Sequence, residues 1–273
     1  MSRPAALVLS AAVLSACAGP APDPAARASL VAAERAFARM AAERGTRDAF
    51  LAHFAPGGVV FAPSPIPVQQ AFGQPPADPL ATLLVWAPVA SGVARSGDFG
   101  FTTGPATLAR RDGSRPSVHS TFFSVWKRDR DAPWRVVLDA GATAPGPVED
   151  ARLLPGPAVR PAAAGAPASI DDLLAEERDG PWSAQRIAAR LAEDALLQRA
   201  GTWPLAGAAR IADAWPQRDE TLAPLGGDVA SSGDLAYTYG KVATADGAGH
   251  YVHLWTRGID GTSWRLAALL RLP

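Results

Sequence analysis

The stretch Val93–Gly104 reads VARSGDFGFTTG, and the stretch Val229–Gly240 reads VASSGDLAYTYG. Seven of the twelve positions are identical at an offset of 136 residues, where unrelated segments of ordinary composition would share about one. The match extends both ways. Ala87-Pro88 pairs with Ala223-Pro224 at the same offset. Downstream, HSTFFSVWKRDRDAPWRVV lines up with GHYVHLWTRGIDGTSWRLA, so that Trp126 matches Trp255 and Trp134-Arg135 matches Trp264-Arg265. A unit of over ~100 residues is too long for a solenoid repeat. The chain of 273 residues therefore reads as a duplicated domain.

Each copy shows the same order of elements. In the first, Leu30, Ala33, Phe37 and Met40 stand near helical spacing and Gly45 closes the helix. Thr46 is positioned to cap a second helix. In the second, Ser169 with Asp172 resembles a capping box, Gly180-Pro181 stops that helix early, and Ser183 is placed to cap the next. Strand-like runs follow in both: GDFGFTTGPATLA, HSTFFSVWKR and WRVVLDAG in the first, DLAYTYGKVAT, HYVHLWTRG and SWRLAALLRL in the second. Helices followed by a strand meander predict an α+β fold of two tandem cone-shaped domains, each a curved antiparallel sheet packed with N-terminal helices. The expected boundaries are 17–147 and 169–273, with a Pro/Ala-rich linker over 148–168.

Residues 1–16 have the layout of a secretory signal: Arg3, an apolar run from Ala5 to Val13, then Leu14-Ser15-Ala16 before Cys17. The run is too short to span a bilayer as a helix. It resembles the bacterial lipobox, which implies lipidation of Cys17 and attachment to a membrane through the lipid anchor. Ala18 in place of aspartate implies, in a Gram-negative cell, an outer-membrane lipoprotein facing the periplasm. Cys17 is the single cysteine, so no thiol remains for a disulfide or a nucleophile. Lysine plus arginine and aspartate plus glutamate number 26 each. That balance gives no basic footprint for nucleic acid.

A helix pair followed by WAPV, SGDFGFTTG, FSVWKR and WRVVLDAG resembles the SnoaL-like, ketosteroid-isomerase-like branch of the nuclear transport factor 2-like superfamily. SGDLAYTYG and YVHLWTR in the second copy are similar to an uncharacterised bacterial branch, a domain of unknown function. The resemblance covers roughly residues 25–145 and 169–273, nearly the whole mature chain. It implies fold more than function, because this fold hosts enzymes, binding modules and structural domains alike. It also implies pairing through the sheets, hence an intrachain pseudo-dimer as an expectation. The first helix of the second copy is shorter than that of the first, which argues against a closed pocket in the second copy.

The candidate chemistry is sparse. Gly97-Asp98 and Gly233-Asp234 read first as turns, since Asp beside Gly bonds to its own backbone. His119 and Asp139 lie on strands of the first copy, and a histidine with a carboxylate inside a cone forms a general acid–base pair. Asp139 aligns with Leu269 and His119 has no histidine counterpart, so such a site belongs to the first copy alone. Tyr237 and Tyr239 share a strand face near Tyr251; they line a ligand pocket or make cross-strand aromatic pairs. His250 and His253 are three apart, an odd step that sends them to opposite strand faces, so no metal site is expected. No phosphate loop, nucleophile elbow or cysteine–histidine pair occurs, and no cofactor is expected. The leading expectation is a non-catalytic module that binds a small apolar ligand or a partner. The alternative is a small-molecule isomerase or hydrolase using His119 and Asp139. A purely structural envelope component is the third reading.

Overall fold

The computed structural model describes residues 24–129, 132–163 and 169–273. Cys17 and the signal-like segment lie outside the described residues. The first unit comprises α1 (Pro24–Arg44), α2 (Thr46–His53), β1 (Phe54–Phe61), β2 (Pro65–Pro67), α3 (Val68–Phe72), β3 (Thr82–Trp86), β4 (Ala90–Val93), β5 (Phe99–Arg110), β6 (Val118–Lys127) and β7 (Arg135–Thr143). The second comprises α4 (Ile170–Arg178), α5 (Ala184–Arg190), β8 (Leu191–Arg199), β9 (Leu205–Ala206), α6 (Ala208–Ala214), β10 (Thr221–Val229), β11 (Leu235–Thr244), β12 (Gly247–Arg257) and β13 (Trp264–Leu272). No described helix is long and apolar enough to cross a membrane.

The helices start where the side chains allow. Ser169 accepts the Asp171 N–H at 3.1 Å and Ser183 accepts the Arg186 N–H at 3.2 Å, each capping its helix. Thr46, expected as a cap, is instead the first residue of α2, and Gly45 before it holds φ 93°. A side chain at Gly45 would also meet the Pro79 carbonyl oxygen, so the sharp corner between α1 and α2 depends on glycine.

Each sheet is mixed rather than wholly antiparallel. The first runs β2-β1-β7-β6-β5-β3, with β4 also on β5; the second runs β10-β11-β12-β13-β8-β9. β1 pairs with β7 in parallel, and β8 with β13 likewise. The strand that leaves the helices enters beside the last strand of its own meander, and the intervening strands return the chain in the same direction. The ladder slips at Val125/Trp126 in one sheet and at Leu254/Trp255 in the other. An extra residue on one strand bends the pair there, at the same place in both copies.

The layers are helices, sheet, sheet, helices. One face of the first sheet buries Trp126, Trp134 and Val136 against Leu30, Phe37 and Phe50 of α1 and α2. One face of the second buries Tyr251, Trp255 and Leu266 against Leu173, Ile187 and Ile211 of α4, α5 and α6. The remaining faces share one cluster: Phe99, Phe101, Phe123 and Val125 from the first sheet with Leu235, Tyr237, Val252 and Leu254 from the second. The linker contributes too, with Leu153 fully buried in that cluster. Arg160 grips Asp194 through its two terminal guanidinium nitrogens, and its backbone N–H donates to the Thr256 hydroxyl.

The repeated Ser-Gly-Asp turns meet across this boundary. The Arg95 N–H donates to Asp234 Oδ2 at 3.0 Å, and at the equivalent place the Ser231 N–H donates to Asp98 Oδ2 at 3.3 Å. Ser96 and Ser232 touch hydroxyl to hydroxyl at 2.9 Å, and each donates to the aspartate of its own turn. The backbone bonds of the two turns are reciprocal, as in a two-fold interface, while the Ser231 hydroxyl adds a bond to Asp98 that Arg95, at the equivalent place, does not return. Asp98 and Asp234 thus do more than close their own turns: they receive the backbone of the opposite copy. Asp98 keeps its charge for this reason. Burial pushes its carboxyl up, but the Ser231 and Ser96 bonds together hold it below the ordinary range.

Candidate functional site

Strand alternation sorts the side chains of each sheet onto the helix face or the shared face. On the first sheet Thr102, Ser124, Trp126 and Asp139 point toward the helices. Thr102 faces Ser124 across the ladder, and Ser124 faces Asp139. On the second sheet the same ladder positions hold Thr238, His253 and Leu269.

A buried glutamate from the first helix closes each of these faces. Glu34 accepts bonds from Trp86 Nε1 at 2.5 Å, from the Thr102 hydroxyl, and from Trp126 Nε1 at 3.0 Å. Glu177 accepts from the Thr238 hydroxyl at 2.6 Å, the Tyr251 hydroxyl at 2.7 Å and His253 Nδ1 at 2.7 Å. Burial pushes the Glu34 carboxyl above its ordinary range while the Thr102, Trp86 and Trp126 donors pull it back. Neither glutamate stood out as a site from sequence. The available signal was position: Glu34 interrupts the buried stripe Leu30, Phe37, Ala41 at helical spacing, and Glu177 follows Leu173 in the same way.

The two interiors then diverge. In the first, small side chains at Ala106, Ser120 and Gly141 leave a cavity of about 120 Å³, walled by Phe50, Leu84, Trp86 and Phe122. Asp139 lines it and is the one carboxyl to do so. Ser124 donates its hydroxyl hydrogen to Asp139 at 2.7 Å. Burial pushes the Asp139 carboxyl up to about 8, against the pull of Ser124 and with the help of the nearby Glu34. Near neutral pH the cavity therefore presents a protonated acid, able to donate a hydrogen bond and to take part in proton transfer. In the second interior, Arg271 stands opposite Tyr251 where Gly141 stands opposite Phe122 in the first. His253 replaces Ser124, and its Nε2 meets Arg271 Nη1 at 3.0 Å. Arginine only donates, so Nε2 accepts and the Nδ1 hydrogen goes to Glu177. That histidine is neutral, and burial holds its pKa below the ordinary value. The large side chains fill the space that stays open in the first unit.

Sequence-identified candidates separate accordingly. His119 does not join Asp139. Its ladder partner is Thr107, whose hydroxyl lies 3.2 Å from Nδ1. It stands an odd number of residues from Ser124 and so faces the other side of the sheet. Tyr237 and Tyr239 lie on the shared face, with ring centroids 5.9 Å from Phe99 and 6.2 Å from Phe61 respectively. Tyr251 lies on the opposite face, bonded to Glu177. The three tyrosines do not form one pocket. His250 binds the Pro273 carbonyl near the surface while His253 is buried inside, on opposite faces of β12. Among the described residues no group of potential ligands is arranged to hold a metal ion.

The raised acid has a measurable consequence. Asp139 holds its proton in the folded state across a range where the unfolded chain has released it. Wild-type stability is therefore expected to fall as pH rises from about 4 to about 8, and Asp139→Asn is expected to flatten that fall. Denaturant midpoints of both proteins across this range check it; parallel pH profiles would show that the carboxyl is not held neutral.

No family model matches the chain, and no curated protein matches it. Solved structures similar to it each span about one unit. A ketosteroid isomerase-like protein from Erwinia carotovora atroseptica is 13% identical over 44% of this chain and 98% of its own, with a TM-score of 0.36. An NTF-2 like protein of unknown function from Shewanella oneidensis is 14% identical over 42% of this chain and 96% of its own, TM-score 0.34. An NTF2-like superfamily protein from Salmonella enterica serovar Typhimurium is 12% identical over 44% and 91%, TM-score 0.34. Each of these three matches spans less than half of this chain and at least 91% of the other; the chain's own fold is two α+β units in tandem.

Proposed function

We propose that the first unit is a binding module for a small, largely apolar molecule carrying a hydrogen-bond acceptor, and that the second unit is its structural partner in an intrachain pseudo-dimer. The observation that carries this reading is the small cavity with Asp139 on its wall. A cavity of about 120 Å³ lies well below the roughly 300–1,000 Å³ of drug-sized pockets, so the ligand is small. Aromatic and aliphatic walls favour an apolar body, and a neutral carboxyl offers one donor to orient it. The lipobox-like segment before Cys17 supports a lipid-anchored, periplasm-facing location in a bacterial envelope.

The test is native mass spectrometry of the protein after exposure to envelope extract. A reproducible small added mass that disappears in Gly141→Val, which fills the cavity, is the expected result. An empty protein in every extract would abandon ligand binding in favour of a structural role.

A second reading, proton transfer by Asp139, is favoured by its raised pKa and by the proximity of Glu34. It does not use His119. Turnover of a bound carbonyl compound that is lost in Asp139→Asn, while binding persists, would move the assignment from binding to catalysis.

A further inference from the structure

We propose that the mouth of the second unit is a separate binding site for a small monocarboxylate, held by Arg199 and Arg218. The site is an open cavity of about 300 Å³ at the end of the sheet, lined by Arg199, Arg218, Arg271, Glu220, Asp246 and Val242 among others. Arg199 and Arg271 are ladder partners on the parallel strands β8 and β13, so both guanidiniums project from the same face.

The three arginines are unequally engaged. Arg271 has four of its five N–H groups engaged: Nε and Nη2 bind Glu220, while Nη1 donates to His253 and to the Leu270 carbonyl. Arg218 pairs with Asp246 through Nη1, but its buried Nε has no partner among the described residues. Arg199 makes no side-chain hydrogen bond to any described residue. Its guanidinium rests over the Trp215 ring, 5.2 Å from the centroid, and Arg271 lies over the same ring at 5.0 Å. Tryptophan faces attract cations and fix the guanidinium plane without consuming its N–H groups.

Charge balance points the same way. Among the side chains of the cavity wall, Glu220 and Asp246 offset two of the three arginines, leaving one positive side-chain charge over. Burial pushes the Arg199 pKa down, and Arg271 and Arg218 add to that against Glu220. One bound negative charge relieves this crowding. A planar carboxylate matches the fork of a guanidinium with two parallel bonds. Val242 and Leu272 supply apolar wall for a short tail. Among the described residues the first unit has no counterpart of Arg271, because Gly141 occupies that ladder position.

Isothermal titration calorimetry of the purified protein with benzoate, benzyl alcohol and inorganic phosphate tests the site. Benzoate is expected to bind and benzyl alcohol, its neutral analogue, is not. Arg199→Gln is expected to weaken benzoate by about tenfold or more, with circular dichroism confirming the fold. If Arg199→Gln does not fold, Arg199→Lys keeps the charge without the planar fork and is expected to weaken benzoate severalfold. Failure of benzoate to bind, or equal binding to wild type and a folded Arg199 variant, overturns the proposal. So does phosphate binding in preference to benzoate with loss in the same variant, which would assign the site to a dianion.

Discussion

Phe123→Ala is expected to cost about 3–5 kcal/mol and to destabilise both units together. Phe123 is fully buried in the cluster common to the two sheets and stacks on Phe101 at a centroid distance of 5.8 Å. Removing the ring leaves a cavity between sheets that cannot close without moving both. Tryptophans lie in both helix-side cores, Trp126 in one and Trp255 in the other, so fluorescence follows both units. Denaturant unfolding followed by fluorescence and circular dichroism should show one transition at lower midpoint. Loss confined to one of two separated transitions would mean that the shared cluster does not couple the units.

Glu177→Ala is expected to be about as damaging, at roughly 3–5 kcal/mol, because it leaves three buried donors without an acceptor, each costing about 1–3 kcal/mol. Thr238, Tyr251 and His253 would each lose an acceptor in a region closed to water. Glu177→Gln keeps the shape and one acceptor oxygen, so it should recover part of the loss. Equal stability of Glu177→Ala and wild type, measured by chemical denaturation, would show that the three bonds are not formed in solution. Glu34→Ala should behave like Glu177→Ala, since Trp86, Thr102 and Trp126 make the same commitment in the first unit.

Much of the architecture is legible in the sequence for physical reasons. The repeat at an offset of 136 identifies two copies of one fold, and Ser169 and Ser183 mark helix starts because their hydroxyls replace missing backbone acceptors. The parallel pairing of β1 with β7 and β8 with β13 is not legible, because periodicity reports which residues share a face and not which strand lies alongside. The site divides in the same way. Asp139 is recognisable as a carboxylate among aromatic strands, and the structure sets it on the cavity wall. Its pairing with His119 fails on parity, which depends on ladder register. The tyrosines fail likewise: Tyr251 lies opposite Gly240 in the ladder and therefore shares a face with Thr238, not with Tyr237 and Tyr239. Glu34 escapes notice because a lone charged residue on a long helix resembles any solvated one until its neighbours on the stripe are known to be buried.

The reciprocal bonds between the Ser96 and Ser232 turns have a consequence for how such a molecule can vary. In a dimer of identical chains every substitution occurs twice, and a change that suits one interior is imposed on the other. Here the two halves are joined covalently, so each position is altered once. The boundary can stay nearly symmetric while the interiors specialise: Ser124, Asp139 and Gly141 keep one hollow and acidic, and His253, Leu269 and Arg271 fill the other and arm its rim with cations. Joining also removes dilution, since the tethered halves meet at an effective concentration set by the linker and not by the amount of protein. On the pseudo-dimer proposed above, the filled half would stay with its hollow partner at any expression level.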